Sequence, residues 1–376
     1  MRFHLWRLFG ENEMTRNLIH MTKTIFDELK TGVEKEHVSY ITDVKRRIEI
    51  DKAIQDKCCN FLKNAKIIGI KKYSVIVAFI KFEENVYIGI DSRYAEEFEK
   101  NYGYTVEEKS EIVIGSQILC IAEKLYEFKV DSIKLIENCF ALEPEKKDTD
   151  AVVFSPQDIF ELVYGISIFS IGDNELELLM DSQDDLRRVL LLLIVDANIQ
   201  LSIGCKEMLL KLATMTVTRK ICNNLLDFVT ISDNRIKFLT LYQCIEYLFI
   251  PNRASEFKEK YNMNIIDALR LHINESSKST ERDNVMAILK KYASMPIISK
   301  FRSQLELSES VNQIEKVNNW IYDLRCSIAH FRYGQVKEDN LNNWNDIFGL
   351  MLELLVSIYN NIDKDVQDIC NGIVAV

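Results

Sequence analysis

Proline and glycine are scarce in this chain, 4 and 12 in 376 residues. That scarcity disfavours a turn-rich β sandwich or barrel and favours long helices. Long apolar runs are missing too. The longest unbroken one, Val189–Val195, is far short of a bilayer span, so no membrane anchor is expected. The opening stretch MRFHLWRLFGENE has neither a long apolar core nor a small-residue cleavage site, so it does not read as a signal peptide. No CxxC pair occurs among the nine cysteines, and no HExxH, Walker loop, GxSxG or strand-linked GxGxxG is present. Net positive charge is also lacking. The balance is −10, which argues against a general nucleic-acid coat or a polybasic membrane surface. Any nucleic acid would have to be met by a local positive site.

What is there is a globular composition, 47% hydrophobic and 28% charged, long enough for two or three domains. The scattered cysteines are expected to be reduced, mostly buried thiols, which fits a cytoplasmic protein. The expected fold class is α+β: an N-terminal α+β domain over residues 1–145, then a mostly helical part over 151–376. Residues 20–64 carry helical apolar spacing. Lys66–Ile70, Ser74–Phe82 and Val86–Ile90 read as strands, with a hairpin turn at Glu83-Glu84-Asn85. A helix is expected at Ser92–Tyr102, and two further strands near Ile112–Ala122 and Ser132–Phe140. Glu143–Asp150 is the expected linker. Ser155-Pro156-Gln157-Asp158 is a helix start, with Ser as cap and Pro in the first turn. From Asp184 onward nearly everything has helical periodicity, with breaks near Gly204, Ser232-Asp233, Pro251-Asn252, Asn274–Asn284, Pro296 and Gly334.

Two of those helices carry the chemistry. Asp233–Ile250 has an apolar stripe of Phe238, Leu241, Tyr242, Ile245, Leu248 and Phe249. Ser310–His330 is expected to start on a Ser310/Gln313 capping box and to repeat Val311, Ile314, Val317, Ile321, Leu324, Ile328 and Phe331 every three or four residues. A last helix, about Asn343–Ile362, presents Trp344, Phe348, Leu352, Leu355 and Tyr359. The Ser310–His330 helix ends in Ile321-Tyr322-Asp323-Leu324-Arg325-Cys326-Ser327-Ile328-Ala329-His330.

Histidine is the side chain that titrates near neutrality, and arginine is a permanently charged planar fork matched to phosphate oxygens. Together they are a minimal kit for metal-free phosphodiester transfer. On an ideal helix Arg325 and His330 lie about 140° apart. One such pair would not converge without a second copy, and the arc between them holds Ala329, Tyr322 and Cys326.

Arg followed by four residues and His, late in an amphipathic helix, resembles the signature of the HEPN superfamily. The preceding Leu-Tyr-Gln-Cys-Ile-Glu-Tyr-Leu-Phe helix (241–249) is similar to that family's earlier helix. The resemblance covers about residues 220–370. It implies a HEPN-like helical bundle and a metal-independent endoribonuclease, of the kind found in bacterial antiphage defence, abortive infection and toxin–antitoxin systems. Also implied are a homodimer, an RNA substrate and an antitoxin or phage-derived trigger, with no metal, cofactor or membrane. Arg325 and His330 would be catalytic, with Glu246, Tyr322, Cys326 and Ser327 in support, and Arg332 and Lys337 holding RNA. The chain departs from the family pattern at Cys326, where a polar Asn or Asp often follows the Arg. His272 reads as an isolated surface residue. Alternative readings are a non-catalytic HEPN-like scaffold for dimerisation or regulation, and a metal-dependent nuclease in the N-terminal domain. The latter would use the carboxylate–lysine pattern of Asp91 with Glu107-Glu108-Lys109.

Overall fold

The computed structural model describes residues 18–31, 46–72, 75–102, 104–129, 134, 137, 139–140, 152–170, 183–197, 201–275, 280–307, 312–330 and 343–372. The chain divides into two compact units, Met1–Leu186 and Arg187–Val376. The first is mixed α+β and the second is helical, the coarse division the residue pattern suggests.

The first unit is built on a five-stranded antiparallel sheet. Its strands are β2 (Lys66–Lys72), β3 (Val75–Phe82), β4 (Asn85–Asp91), β5 (Thr105–Val106) and β9 (Ile166–Ser170), in spatial order β2-β3-β4-β9-β5. Phe82 pairs with Asn85, so β3 and β4 are joined by a tight turn in which Glu83 takes a positive φ of 55°. β3 is buried on both faces. Ile76, Ala78 and Ile80 face a core shared with helices α1 (Leu18–Thr31), α2 (Lys52–Asn64) and α4 (Ser110–Ala122). On the other face Phe169 meets Phe98 of α3 (Ala95–Tyr102), ring centroids 5.2 Å apart. Gly115 lets α4 close on α2, since a Cβ there would stand 2.5 Å from the Phe61 ring. Two small ribbons complete the unit. β1 (Arg46–Ile48) runs parallel to β7 (Val152–Phe154), and β6 (Glu127–Phe128) runs antiparallel to β8 (Val163–Tyr164). Between β7 and β8 lies the short helix α5 (Pro156–Phe160), started by the expected Ser155 cap in a capping box with Asp158.

Three sequence expectations are corrected here. Ile112–Ala122 is not a strand but most of α4. Its residues pack on α1, α2 and the sheet together, and a run buried on most sides loses the 3.6-residue alternation that marks a helix. The second expected strand, Ser132–Phe140, lies largely outside the described residues, and within it Lys134, Glu137 and Cys139 are helical. Residues 152–170, expected in the helical part, instead supply three strands to the first unit, because each pairs with a strand from before residue 130. The expected linker Glu143–Asp150 lies outside the described residues.

The second unit contains α6 (Gln183–Ala197, which crosses the unit boundary), α7 (Ile203–Thr214), α8 (Cys222–Thr230), α9 (Asn234–Glu246), α10 (Phe249–Tyr261), α11 (Ile265–Glu275), α12 (Glu281–Tyr292), α13 (Met295–Gln304), α14 (Gln313–His330), α15 (Trp344–Asn361) and α16 (Lys364–Cys370). α9 is the central helix, packed on α8, α12, α14 and α15. Its Phe238, Leu241, Tyr242 and Ile245 are all buried, each such side chain contributing about 1.5–3 kcal/mol. Trp320 of α14 wedges between Phe238 and Phe301, at 6.4 and 5.6 Å between ring centroids. Tyr359 of α15 is fully buried and donates its hydroxyl to the Cys244 carbonyl at 2.8 Å.

Helix boundaries show where local signals compete. Asp233 caps α9 by accepting from the Arg235 and Ile236 amides, as an Asp before an apolar stripe should. The chain then turns at Tyr247–Leu248 rather than at the expected Pro251. Pro251 sits in the first turn of α10, where its missing N–H has no helical partner to lose. The expected Ser310 cap lies outside the described residues. Within them, Asn312 and Glu315 exchange side-chain bonds at the start of α14. All nine cysteines are free, and all but Cys59 are buried.

Candidate functional site

The candidate site lies where α9, α12 and α14 meet. Arg325, just over a turn from the end of α14, is largely buried, its side chain 22% exposed. Its Nε stands 2.9 Å from Oε1 of Glu281, the first residue of α12. Its Nη2 stands 3.7 Å from Oε1 of Glu246, the last residue of α9. Tyr242, one turn earlier on α9, donates its hydroxyl to Glu281 Oε1 at 2.8 Å, and the guanidinium lies 5.8 Å from the Tyr242 ring centre. Two carboxylates and a phenol from two other helices therefore fix one edge of the arginine fork.

Burial works against the Arg325 charge. Glu281, Tyr242 and Glu246 outweigh it and hold the guanidinium above its ordinary pKa. Glu246 is shifted the other way for a carboxylate. Burial, then the neighbouring Glu281, raise its pKa, and Arg325 opposes them only in part. The Tyr242 phenol is pushed up by burial and by its bond to Glu281. Beside this group Arg282 Nη2 binds Asp323 Oδ1 at 2.6 Å, and its guanidinium stacks on Tyr322 at 4.6 Å.

The sequence-selected residues fall in three groups. Arg325 and Glu246 are brought together, and Tyr322 borders them. Cys326 is buried, and its thiol is the first among the neighbours that raise the Tyr322 pKa. Ser327 turns back on its own helix, donating to the Leu324 carbonyl at 2.8 Å. His330 is the last residue of α14, but its side chain, the His272 side chain, and Arg332 and Lys337 lie outside the described residues.

Sequence reasoning missed Glu281 and Arg282, because Asn274–Asn284 read as a polar break. The signal was present: Thr280-Glu281-Arg282-Asp283 is a capping box, and Val285, Ile288, Leu289 and Tyr292 follow at helical spacing. Tyr242 was read only as part of an apolar stripe.

In the first unit, Asp91 is fully buried and its carboxylate is committed. Oδ1 accepts from the Arg93 amide and Nε, and Oδ2 from Arg93 Nη2 at 2.6 Å and from the Ile76 amide. Glu107 accepts from Ser170 Oγ at 2.8 Å and from the Lys109 amide. Among the described residues no three His, Cys, Asp or Glu side chains gather as a metal site, and no helix is long and apolar enough to cross a membrane. No family model, curated protein or solved structure matches the chain.

Proposed function

We infer that the second unit is a metal-independent endoribonuclease module of the HEPN type, with Arg325 and His330 as its catalytic pair. It would act in the cytoplasm as an effector of bacterial antiphage defence or stress response. One observation carries this reading: Arg325 is fixed by carboxylates from two other helices, close to the end of a helix that finishes in His330. An arginine held this way loses little freedom when it meets a phosphate, which is what electrostatic catalysis asks of it.

The chemistry is transesterification. The RNA 2′-oxygen attacks the phosphorus while a base takes its proton, and the P–O5′ bond breaks as an acid protonates the leaving oxygen. The products are a 2′,3′-cyclic phosphate and a 5′-hydroxyl. Arg325 would neutralise the charge that gathers on the phosphoryl oxygens. One histidine cannot act as base and acid at the same moment, so two copies of the chain would pair and supply one each. An antitoxin or a phage-derived trigger would then act on the dimer, and the first unit would sense or restrain.

A second reading, a non-catalytic dimerisation or regulatory scaffold, is favoured by the same ion pairs, since the Arg325 charge already has acidic partners. Labelled RNA incubated with the full chain in EDTA separates the two. Cleavage that disappears in both Arg325→Ala and His330→Ala supports the nuclease. No cleavage of any RNA by an intact dimer supports the scaffold. Cleavage that needs Mg²⁺ and survives both substitutions moves the chemistry to the first unit.

A further inference from the structure

Two carboxylates and one guanidinium make an unbalanced set. With Glu246 and Glu281 both ionised, their group with Arg325 carries a net charge of −1 in a partly dry pocket. Their side chains are only 32% and 26% exposed. The charged groups acting on Glu246 among the described residues are Glu281 from α12 and Arg325 from α14, with the Tyr242 phenol on its own helix. Arg282 and Asp323, beside this group, are paired with each other. Like charges converging on one cation are relieved most simply by a single proton.

The helix ends say which carboxylate takes it. Glu281 is the first residue of the twelve-residue α12, where unpaired amides and the positive helix end favour an anion. Glu246 is the last residue of α9 and lacks the first-turn position that Glu281 has. Glu281 also accepts a hydrogen bond from the Tyr242 hydroxyl at 2.8 Å. Glu246 has no such donor besides Arg325 at 3.7 Å among the described residues. The raised pKa of Glu246 agrees with this division.

We propose that Glu246 and Glu281 hold one proton between them, resident on Glu246, and that this proton keeps the Arg325 site neutral enough to accept an RNA phosphodiester. With the proton bound, Glu281 alone balances Arg325, and the remaining guanidinium donors can turn to a phosphate. When it leaves, the surplus negative charge competes for the guanidinium and repels the substrate. Glu246 is therefore a positioning residue, acting through Arg325 rather than on the reacting atoms. The inference rests on the ribonuclease reading above.

The test is a ¹³Cδ-glutamate NMR titration of the full-length protein, wild type and Glu246→Gln, with RNA cleavage followed at each pH in EDTA. One carboxyl in the wild type should lose its proton well above the ordinary glutamate range, and that signal should be absent in Glu246→Gln. Wild-type cleavage should fall about tenfold per pH unit above the same midpoint, and Glu246→Gln should flatten that limb. If every glutamate of the wild type titrates in the ordinary range, the shared proton is overturned, even with RNA being cut. A falling limb that persists in Glu246→Gln overturns the link between proton and site. If the wild type cuts no RNA at any pH, the ribonuclease reading fails, and with it the role given to the proton, while the titration still decides whether the proton is shared. Glu281→Gln supplies a second variant: it should move the proton equilibrium of Glu246 back toward the ordinary range.

Discussion

Arg325 Nε and Glu281 Oε1 meet at 2.9 Å, and this contact ties the late part of α14 to the first turn of α12. It is the shortest tie the arginine makes to the helices around it among the described residues, and it sets the direction of the fork.

Arg325→Ala removes the cation between two acids. Expected destabilisation is about 2 kcal/mol at pH 8, below the 3–5 kcal/mol of a fully buried pair because water reaches part of the site. The loss should shrink toward pH 5, where protonation relieves the repulsion between Glu246 and Glu281. Urea denaturation at the two pH values measures it. An equal loss at both would contradict the arrangement.

Glu246 gives stability a pH slope of definite sign. Its folded-state pKa is raised, so the native state holds the proton more tightly than the unfolded chain does. Its contribution is fully present below the unfolded glutamate pKa and is lost as pH rises through the folded value. Glu246→Gln should flatten this slope and be the more stable protein on the alkaline side, as read by thermal melts across pH.

Tyr242→Phe deletes one hydroxyl and its bond to Glu281. A cost of about 1.5–3 kcal/mol is expected, the range for a hydrogen bond to a charged group. If RNA is cleaved, kcat should fall more than KM changes, because the arginine loses orientation rather than charge. Steady-state kinetics beside a denaturation curve separate the two effects.

Asp363 fastens α16 to α10 and α12. Its Oδ1 caps the Val366 amide, while Oδ2 accepts from Ser255 at 3.1 Å, Tyr292 at 2.8 Å and Lys291 at 2.8 Å. Burial opposes its charge, but the bonds from Lys291, Val366 and Tyr292 prevail and lower its pKa. Asp363→Ala should therefore cost about 2–3 kcal/mol, a lost cap plus stranded donors. In the wild type this support is present above the ordinary aspartate range and is lost as pH falls through the lowered value. Acid titration of Tm in the two proteins checks the sign.

Asp91→Ala should destabilise the first unit by about 3 kcal/mol, since it removes the buried carboxylate that accepts from Arg93 and the Ile76 amide. The loss should be the same with and without added Mg²⁺. A Mg²⁺-dependent loss of stability would return Asp91 to the metal-binding role its sequence neighbourhood suggested.

Much of this architecture was legible in local pattern. The Glu83–Glu84 turn, the Ser155 cap, the Asp233 cap and the apolar stripes of α9 and α15 are each written in a few neighbouring residues. Ile112–Ala122 was not legible, because a helix covered on most sides has no polar face to reveal its period. Nor were β7, β8 and β9, whose membership in the first unit depends on partners far earlier in the chain. At the site, Arg325 stood out by its spacing from His330, and Glu246 by being a charge in an apolar helix. Glu281 did not stand out, because a first-turn glutamate behind a capping threonine resembles any solvated helix start.

The sequence alone determined where most helices begin, which faces they bury and which arginine and histidine share the end of α14, since those follow from spacing along the chain. Tertiary packing decided what Arg325 touches. Glu246, Glu281 and Tyr242 converge on it only when α9, α12 and α14 bury their apolar stripes against one another. A charge balance set across three helices depends on distances that spacing along the chain does not encode.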